Sequence, residues 1–119
     1  MTMTLRDQIR HVIDDEPVAV FIKGTPERPL CGNSMRALQA LRNAGAPITA
    51  VDVLPDPQIR QELSALSDWP TIPQVFVKGE LLGGADITEE LFASGDLGRK
   101  LDDALGPERD QVVKTVTLD

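Results

Sequence analysis

The residue best suited to chemistry in this chain is its one cysteine, Cys31, which stands in Lys23-Gly24-Thr25-Pro26-Glu27-Arg28-Pro29-Leu30-Cys31-Gly32-Asn33-Ser34. The apolar pattern before this stretch reads as a strand and the pattern after it as a helix, so the sulfur lies where a helix begins. First-turn N–H groups there lack intrahelical partners and the helix dipole is positive, and both favour thiolate over thiol. Lys23, at the end of the preceding strand, adds a nearby cation. A small packing cysteine is the bland alternative. A loop holding Pro26 and Pro29, with Gly32 following, is a poor place for one.

A second stretch, Trp69-Pro70-Thr71-Ile72-Pro73-Gln74, sets a proline directly before a strand. Pro73 either starts that strand or follows a cis bond. In the second case the backbone of Ile72 turns outward and can pair with an extended thiol peptide. Lys23 and Arg60 can then hold carboxylates, and the helix N-terminus at Asp86 another part of the ligand. Singly, Arg60 reads as a solvated surface residue. Gly83-Gly84-Ala85-Asp86 permits close approach by a ligand backbone, although Asp86 can equally do no more than cap its helix. His11 reads as a surface residue, no His, Cys and carboxylate spacing suggests zinc, and phosphate-loop, dinucleotide and Gly-x-Ser-x-Gly patterns are absent.

These residues need elements to position them. Leu5, Ile9, Val12 and Ile13 share one helical face, and that helix ends near Asp14 to Glu16 before Pro17. Val18 to Ile22 is a continuous β-prone run, as expected of a strand buried on both faces. Met35, Leu38 and Leu41 give a helix after Cys31, stopped between Asn43 and Pro47; Ile48 to Val53 is the next strand. Asp56 and Pro57 read as N-cap and first residue of a helix with Ile59, Leu63 and Leu66. Gln74 to Val77 and Leu81-Leu82, around Lys78-Gly79-Glu80, predict an antiparallel hairpin. Asp86 and Glu89 read as a capping box for a helix burying Ile87, Leu91 and Phe92, and Asp96 opens a last helix with Leu97, Leu101 and Leu105. Residues 106–119 have no convincing partner segment and read as a mobile C-terminal tail after a domain spanning 1–105. The order implies an α/β fold, a four-stranded mixed sheet with helices on both faces and a right-handed first crossover, a thioredoxin-like layout.

The 119 residues suit one domain, and 12 Lys+Arg against 19 Asp+Glu give a net charge of −7. That field disfavours nucleic acid and anionic membrane surfaces as partners. The apolar runs are short, no signal-peptide core stands at the start, and one cysteine makes no internal disulfide, so a cytoplasmic setting is expected.

Taken together, Phe21-Ile22-Lys23-Gly24-Thr25-Pro26, Pro29-Leu30-Cys31-Gly32-Asn33-Ser34, Trp69-Pro70-Thr71-Ile72-Pro73-Gln74 and Lys78-Gly79-Glu80-Leu81-Leu82-Gly83-Gly84-Ala85-Asp86 resemble the monothiol glutaredoxins of the Cys-Gly-Phe-Ser type, over roughly residues 4 to 105. The resemblance implies a thioredoxin fold, glutathione binding and a bridging 2Fe-2S cluster used in cluster storage, delivery or iron regulation. It implies Cys31 as the cluster ligand, Lys23 beside the glutathione and Arg60 at its glycine carboxylate. Ile72, before a cis Pro73, would pair by main chain with the glutathione cysteine, and Ala85 with Asp86 would hold the γ-glutamyl end. Two departures stand out: Asn33 replaces the usual Phe, and Ala85 stands where many members carry a second cysteine, so any thiol resolving a Cys31 disulfide comes from outside the chain. A two-iron cluster takes four thiolates. Two Cys31 and two glutathiones supply them, which implies a homodimer when the cluster is bound. The alternative reading is a glutathione-dependent thiol-disulfide oxidoreductase, removing glutathione from proteins with Cys31 as catalytic nucleophile. A third is an adaptor for a regulatory partner such as a BolA-like protein, alongside iron-sulfur acceptor proteins.

Overall fold

Alternation along one central strand decides which layer each helix joins. In the computed structural model, which describes residues 3–118, the elements run α1 (Leu5–Asp15), β1 (Val18–Ile22), α2 (Gly32–Asn43), β2 (Ile48–Asp52), α3 (Pro57–Ser67), β3 (Gln74–Val77), β4 (Glu80–Gly83), α4 (Ala85–Ser94), α5 (Asp96–Leu105) and β5 (Val113–Thr115). Side chains of successive strand residues point to opposite faces. Val18, Val20 and Ile22 accordingly pack with Leu38 and Leu41 of α2 and Leu97 and Leu101 of α5. Ala19 and Phe21 face the other way, onto Ile9 and Ile13 of α1 and Ile59 and Leu63 of α3. Phe21 meets Phe76 edge to face, with ring centroids 5.8 Å apart. Every residue of β1 is buried, as its continuous apolar run requires. None of the described helices is long and apolar enough to cross a membrane.

The sheet has the order β4-β3-β1-β2-β5. β1 and β2 are parallel, and β3 and β4 complete one edge antiparallel, as the hairpin reading requires. Lys78 and Gly79 both have positive φ at the hairpin turn, which matches the twist of the flanking strands. The α/β class and the helices on both faces are as expected, but the sheet has five strands.

The fifth comes from the segment read as a tail without a partner. β5 pairs parallel with β2, Ile48 N–H donates to Val112 C=O at 2.9 Å, and Val116 and Leu118 pack against the α1/α3 side of the core. Arg109 makes the anchor. Its side chain, 11% exposed, donates Nε to Gly45 C=O at 3.1 Å, Nη2 to Ala44 C=O at 2.9 Å and Nη1 to Gly106 C=O at 2.8 Å and Asp102 Oδ1 at 2.6 Å. Ala44 and Gly106 are the C-caps of α2 and α5. One guanidinium thus satisfies carbonyls that two helix ends leave without partners, where the dipoles favour a cation. A three-residue strand with exposed side chains carries too little apolar pattern to be read from sequence.

Candidate functional site

Between Ile22 and α2 the chain folds back on itself. Leu30 N–H donates to Lys23 C=O at 2.9 Å, Thr25 and Arg28 exchange backbone bonds, and Asp52 Oδ1, at the end of β2, accepts from Gly24 N–H at 2.9 Å. Gly24 has φ +93°, and a Cβ there would lie 2.5 Å from Arg28 O and 2.8 Å from Leu30 N. Only glycine fits that conformation and that gap. The turn returns the chain to Lys23 just before Cys31.

Cys31 is the N-cap of α2, in extended geometry and half-buried. Its side chain makes no capping bond. The backbone N–H of Ser34 nevertheless holds its pKa below the ordinary 9.0, helped by the N–H of Asn33, the Ser34 hydroxyl and the charge of Lys23, while partial burial opposes them. Ser34 is fully buried and its Oγ accepts from Lys23 N–H at 3.1 Å. That bond ties the first turn of α2 to the end of β1. A serine near a helix start is ordinary in sequence, so its part in holding the loop against the helix had no distinguishing signal.

The expected ligand residues fall into two cavities that reach Lys23 and Asn33, the neighbours of this thiol, although Cys31 itself lines neither. Lys23 and Arg60 line one of about 540 Å³, in which Pro70 forms part of the wall. Arg60 is exposed, with Nη2 donating to Pro70 C=O at 3.4 Å. Asn33, Trp69, Ile72, Pro73, Ala85 and Asp86 belong to a second cavity of about 360 Å³. Residues 69–73 therefore separate the two, and Cys31 is bracketed by Lys23 on one side and Asn33 on the other. The Ile72–Pro73 bond is cis. Ile72 buries its side chain in the α1/α3 side of the core, yet its backbone N–H and C=O have no hydrogen-bond partner among the described residues. Gln74, fully buried at the start of β3, donates Nε2 to Trp69 C=O at 2.8 Å and Thr71 C=O at 3.2 Å. It fixes the shape of the dividing loop, a role that its sequence position did not announce.

Asp86 and Glu89 differ from the expected capping box. The N-cap of α4 is Gly84, two residues earlier, whose C=O accepts from Thr88 N–H at 3.1 Å and Thr88 Oγ1 at 2.7 Å. Both carboxylates turn instead to Arg36 of α2. Arg36 donates Nη2 to Asp86 Oδ1 at 2.7 Å, Nε to Glu89 Oε1 at 2.9 Å and Nη1 to Asn33 Oδ1 at 2.9 Å, and Nη2 also meets Glu89. Hydrogen bonds donated to Glu89, then to Asp86, raise the Arg36 pKa further above its ordinary value. A full cation competes better for two carboxylates than the weak backbone donors of a first turn. Within α4, Phe92 is exposed and does not join the buried face. His11 is exposed as expected, with Nδ1 3.1 Å from Asp15 Oδ2.

Residues 18–82 match the Glutaredoxin family. The probable monothiol glutaredoxin GrlA of Legionella pneumophila is 50% identical over 86 residues, 72% of this chain and 97% of that protein. The chain belongs to the monothiol glutaredoxin family. Monothiol glutaredoxin-S11 of rice is 46% identical over 94 residues, 79% of this chain, although this chain spans only 19% of that longer protein. The solution structure of reduced poplar apo GrxS14 superposes with a TM-score of 0.76 at 37% identity, covering 86% of this chain and 94% of that one. In this glutaredoxin the residue after Cys31-Gly32 is a polar amide engaged by Arg36, and Ala85, 7% exposed, is buried in the core as the first residue of α4.

Proposed function

We propose that this chain binds glutathione across the two cavities flanking Cys31, and that two copies carry a 2Fe-2S cluster as cargo, held by two Cys31 thiolates and two glutathione thiolates. The observation that carries the reading is a thiol with a lowered pKa, alone in its chain, set between a cationic cavity and an unpaired backbone. Lys23 and Arg60 would take the glycine carboxylate, the free N–H and C=O of Ile72 would pair with the cysteine of the tripeptide, and the start of α4 at Ala85 and Asp86 would take the γ-glutamyl end. One chain brings one thiolate to a cluster that takes four, so the stoichiometry itself asks for a second subunit and two exogenous thiols. Leu30 and Met35, exposed beside Cys31, offer apolar contact across such a junction.

A second reading rests on the same thiolate. Attack by Cys31 sulfur on the glutathione sulfur of a protein mixed disulfide releases the protein thiolate and leaves Cys31 disulfide-bonded to glutathione. A second glutathione thiolate then attacks that disulfide, giving oxidised glutathione and restoring Cys31. The two electrons that reduce the protein come from the pair of glutathiones.

Anaerobic reconstitution with ferrous iron, sulfide and reduced glutathione is expected to give a coloured dimer. Omitting glutathione, or substituting Cys31→Ser, removes both colour and dimer. A colourless monomer under all conditions contradicts the cluster reading and leaves the thiol-exchange reading in its place.

A further inference from the structure

The cavity beside α4 has a donor whose direction is fixed by a bond outside the cavity. Asn33 lines that cavity together with Asp86. Arg36, which is not among its lining residues, holds both from behind: its guanidinium has only donors, so the Asn33 amide must present its oxygen to Nη1, at 2.9 Å. The amide nitrogen is thereby turned away from Arg36, and its two N–H groups have no partner among the described residues. Asp86 is arranged in the complementary sense. Its Oδ1 is engaged by Arg36 at 2.7 Å, and its side chain is 82% exposed, which leaves Oδ2 open as an acceptor. Trp69, lining the same cavity, has a buried Nε1 without a partner. The cavity lining thus holds amide donors and a carboxylate acceptor side by side, both oriented by the one Arg36 guanidinium.

Such a pair matches an α-amino acid zwitterion, whose carboxylate needs donors and whose ammonium needs an acceptor. We infer that Asn33 is a specificity-determining residue whose amide nitrogen donates to the α-carboxylate of the γ-glutamyl end, while Asp86 accepts from its ammonium, and that Arg36 is the positioning residue for both. The inference rests on the glutathione reading given above. An apolar aromatic side chain at position 33 offers no such donor, so this selectivity belongs to the Asn33 and Arg36 pair of this chain.

The test compares glutathione with 4-aminobutanoyl-cysteinyl-glycine, which is glutathione with the γ-glutamyl α-carboxylate replaced by hydrogen. A hydrogen bond to a charged group at a partly exposed site is worth roughly tenfold in affinity. By NMR titration, the unmodified protein is expected to prefer glutathione by about that factor. Asn33→Leu reduces the preference to about threefold or less by weakening glutathione alone. Arg36→Gln, which frees the amide to rotate, also narrows the preference, whereas a merely structural role would weaken both ligands equally. An unchanged preference in Asn33→Leu, or no preference in the unmodified protein, overturns the inference while leaving glutathione binding intact. If the unmodified protein binds neither ligand, the glutathione reading itself fails.

Discussion

Substituting Cys31→Ser is expected to lower glutathione-dependent reduction of a glutathionylated peptide by about 10³-fold or more while leaving the fold in place. The loss follows from the nucleophile. A serine hydroxyl is almost wholly protonated at neutral pH, whereas the first turn of α2 lowers the Cys31 pKa. Stability should not fall, because serine is a better N-cap than cysteine and its oxygen can accept from the N–H groups that now face sulfur. Thermal unfolding at an equal or slightly higher temperature, together with lost turnover, is the expected pair of results. The unmodified thiol has its own pH signature. Its alkylation by iodoacetamide should rise with pH and level off with a midpoint below 9.0, because the Ser34 N–H and its neighbours stabilise the thiolate. The same depression makes this ionisation stabilise the fold fully above the unfolded-state pKa, with the contribution lost as pH falls through the folded value. Lys23→Ala should move the midpoint upward. A midpoint at or above 9.0 would mean that the donors at the helix start do not reach the sulfur.

The largest effect on stability is expected away from the thiol, at Arg109→Ala. The guanidinium is largely buried and donates to three backbone carbonyls and one carboxylate. Removing it orphans the carbonyls at the C-caps of α2 and α5 and releases the segment that carries β5. Charge-assisted hydrogen bonds contribute about 1.5–3 kcal/mol each, and their losses overlap in one side chain, so a cost of about 3 kcal/mol is expected in urea unfolding. Arg109→Lys should recover only part of it, since a single ammonium cannot meet four acceptors in a planar fork. Hydrogen exchange should increase at Ile48 N–H and Val116 N–H, which bond across the β2/β5 junction. A cost below about 0.5 kcal/mol, the range of ordinary surface substitutions, would show that the segment docks without this anchor.

Most of the fold could be read from the chain because its local signals agree with the global arrangement. The β1 run, the Asp56-Pro57 helix start and the turn at Lys78-Gly79 each specify an element by short-range chemistry, and each is present. The strand at Val113–Thr115 lacked such a signal. Its pairing with β2 and the four bonds of Arg109 are long-range polar contacts, invisible to periodicity. Around the thiol, the placement of Cys31 at the start of α2, of Lys23 after β1 and of Ile72 before a cis proline follows from loop glycines, prolines and the helix start that constrain them directly. Asp86 and Glu89 read as a capping box, but that three-residue spacing is also the one that turns two carboxylates toward a neighbouring helix. Only the packing of α2 against α4 brings Arg36 between them. Gln74 and Ser34 were hidden for a related reason: each acts on backbone several residues away, through a contact that the fold creates.

One glutathione molecule is proposed to span both cavities, crossing the dividing loop of residues 69–73 beside Cys31. Amide chemical shifts of the 15N-labelled protein, followed during titration with reduced glutathione, test this most directly. Saturable shifts are expected at Lys23, Cys31, Ile72, Ala85 and Asp86 together, with one common binding constant and little change at β5. Shifts absent from these residues, or confined to one cavity and leaving the amides of Cys31 and Ile72 unmoved, would contradict it.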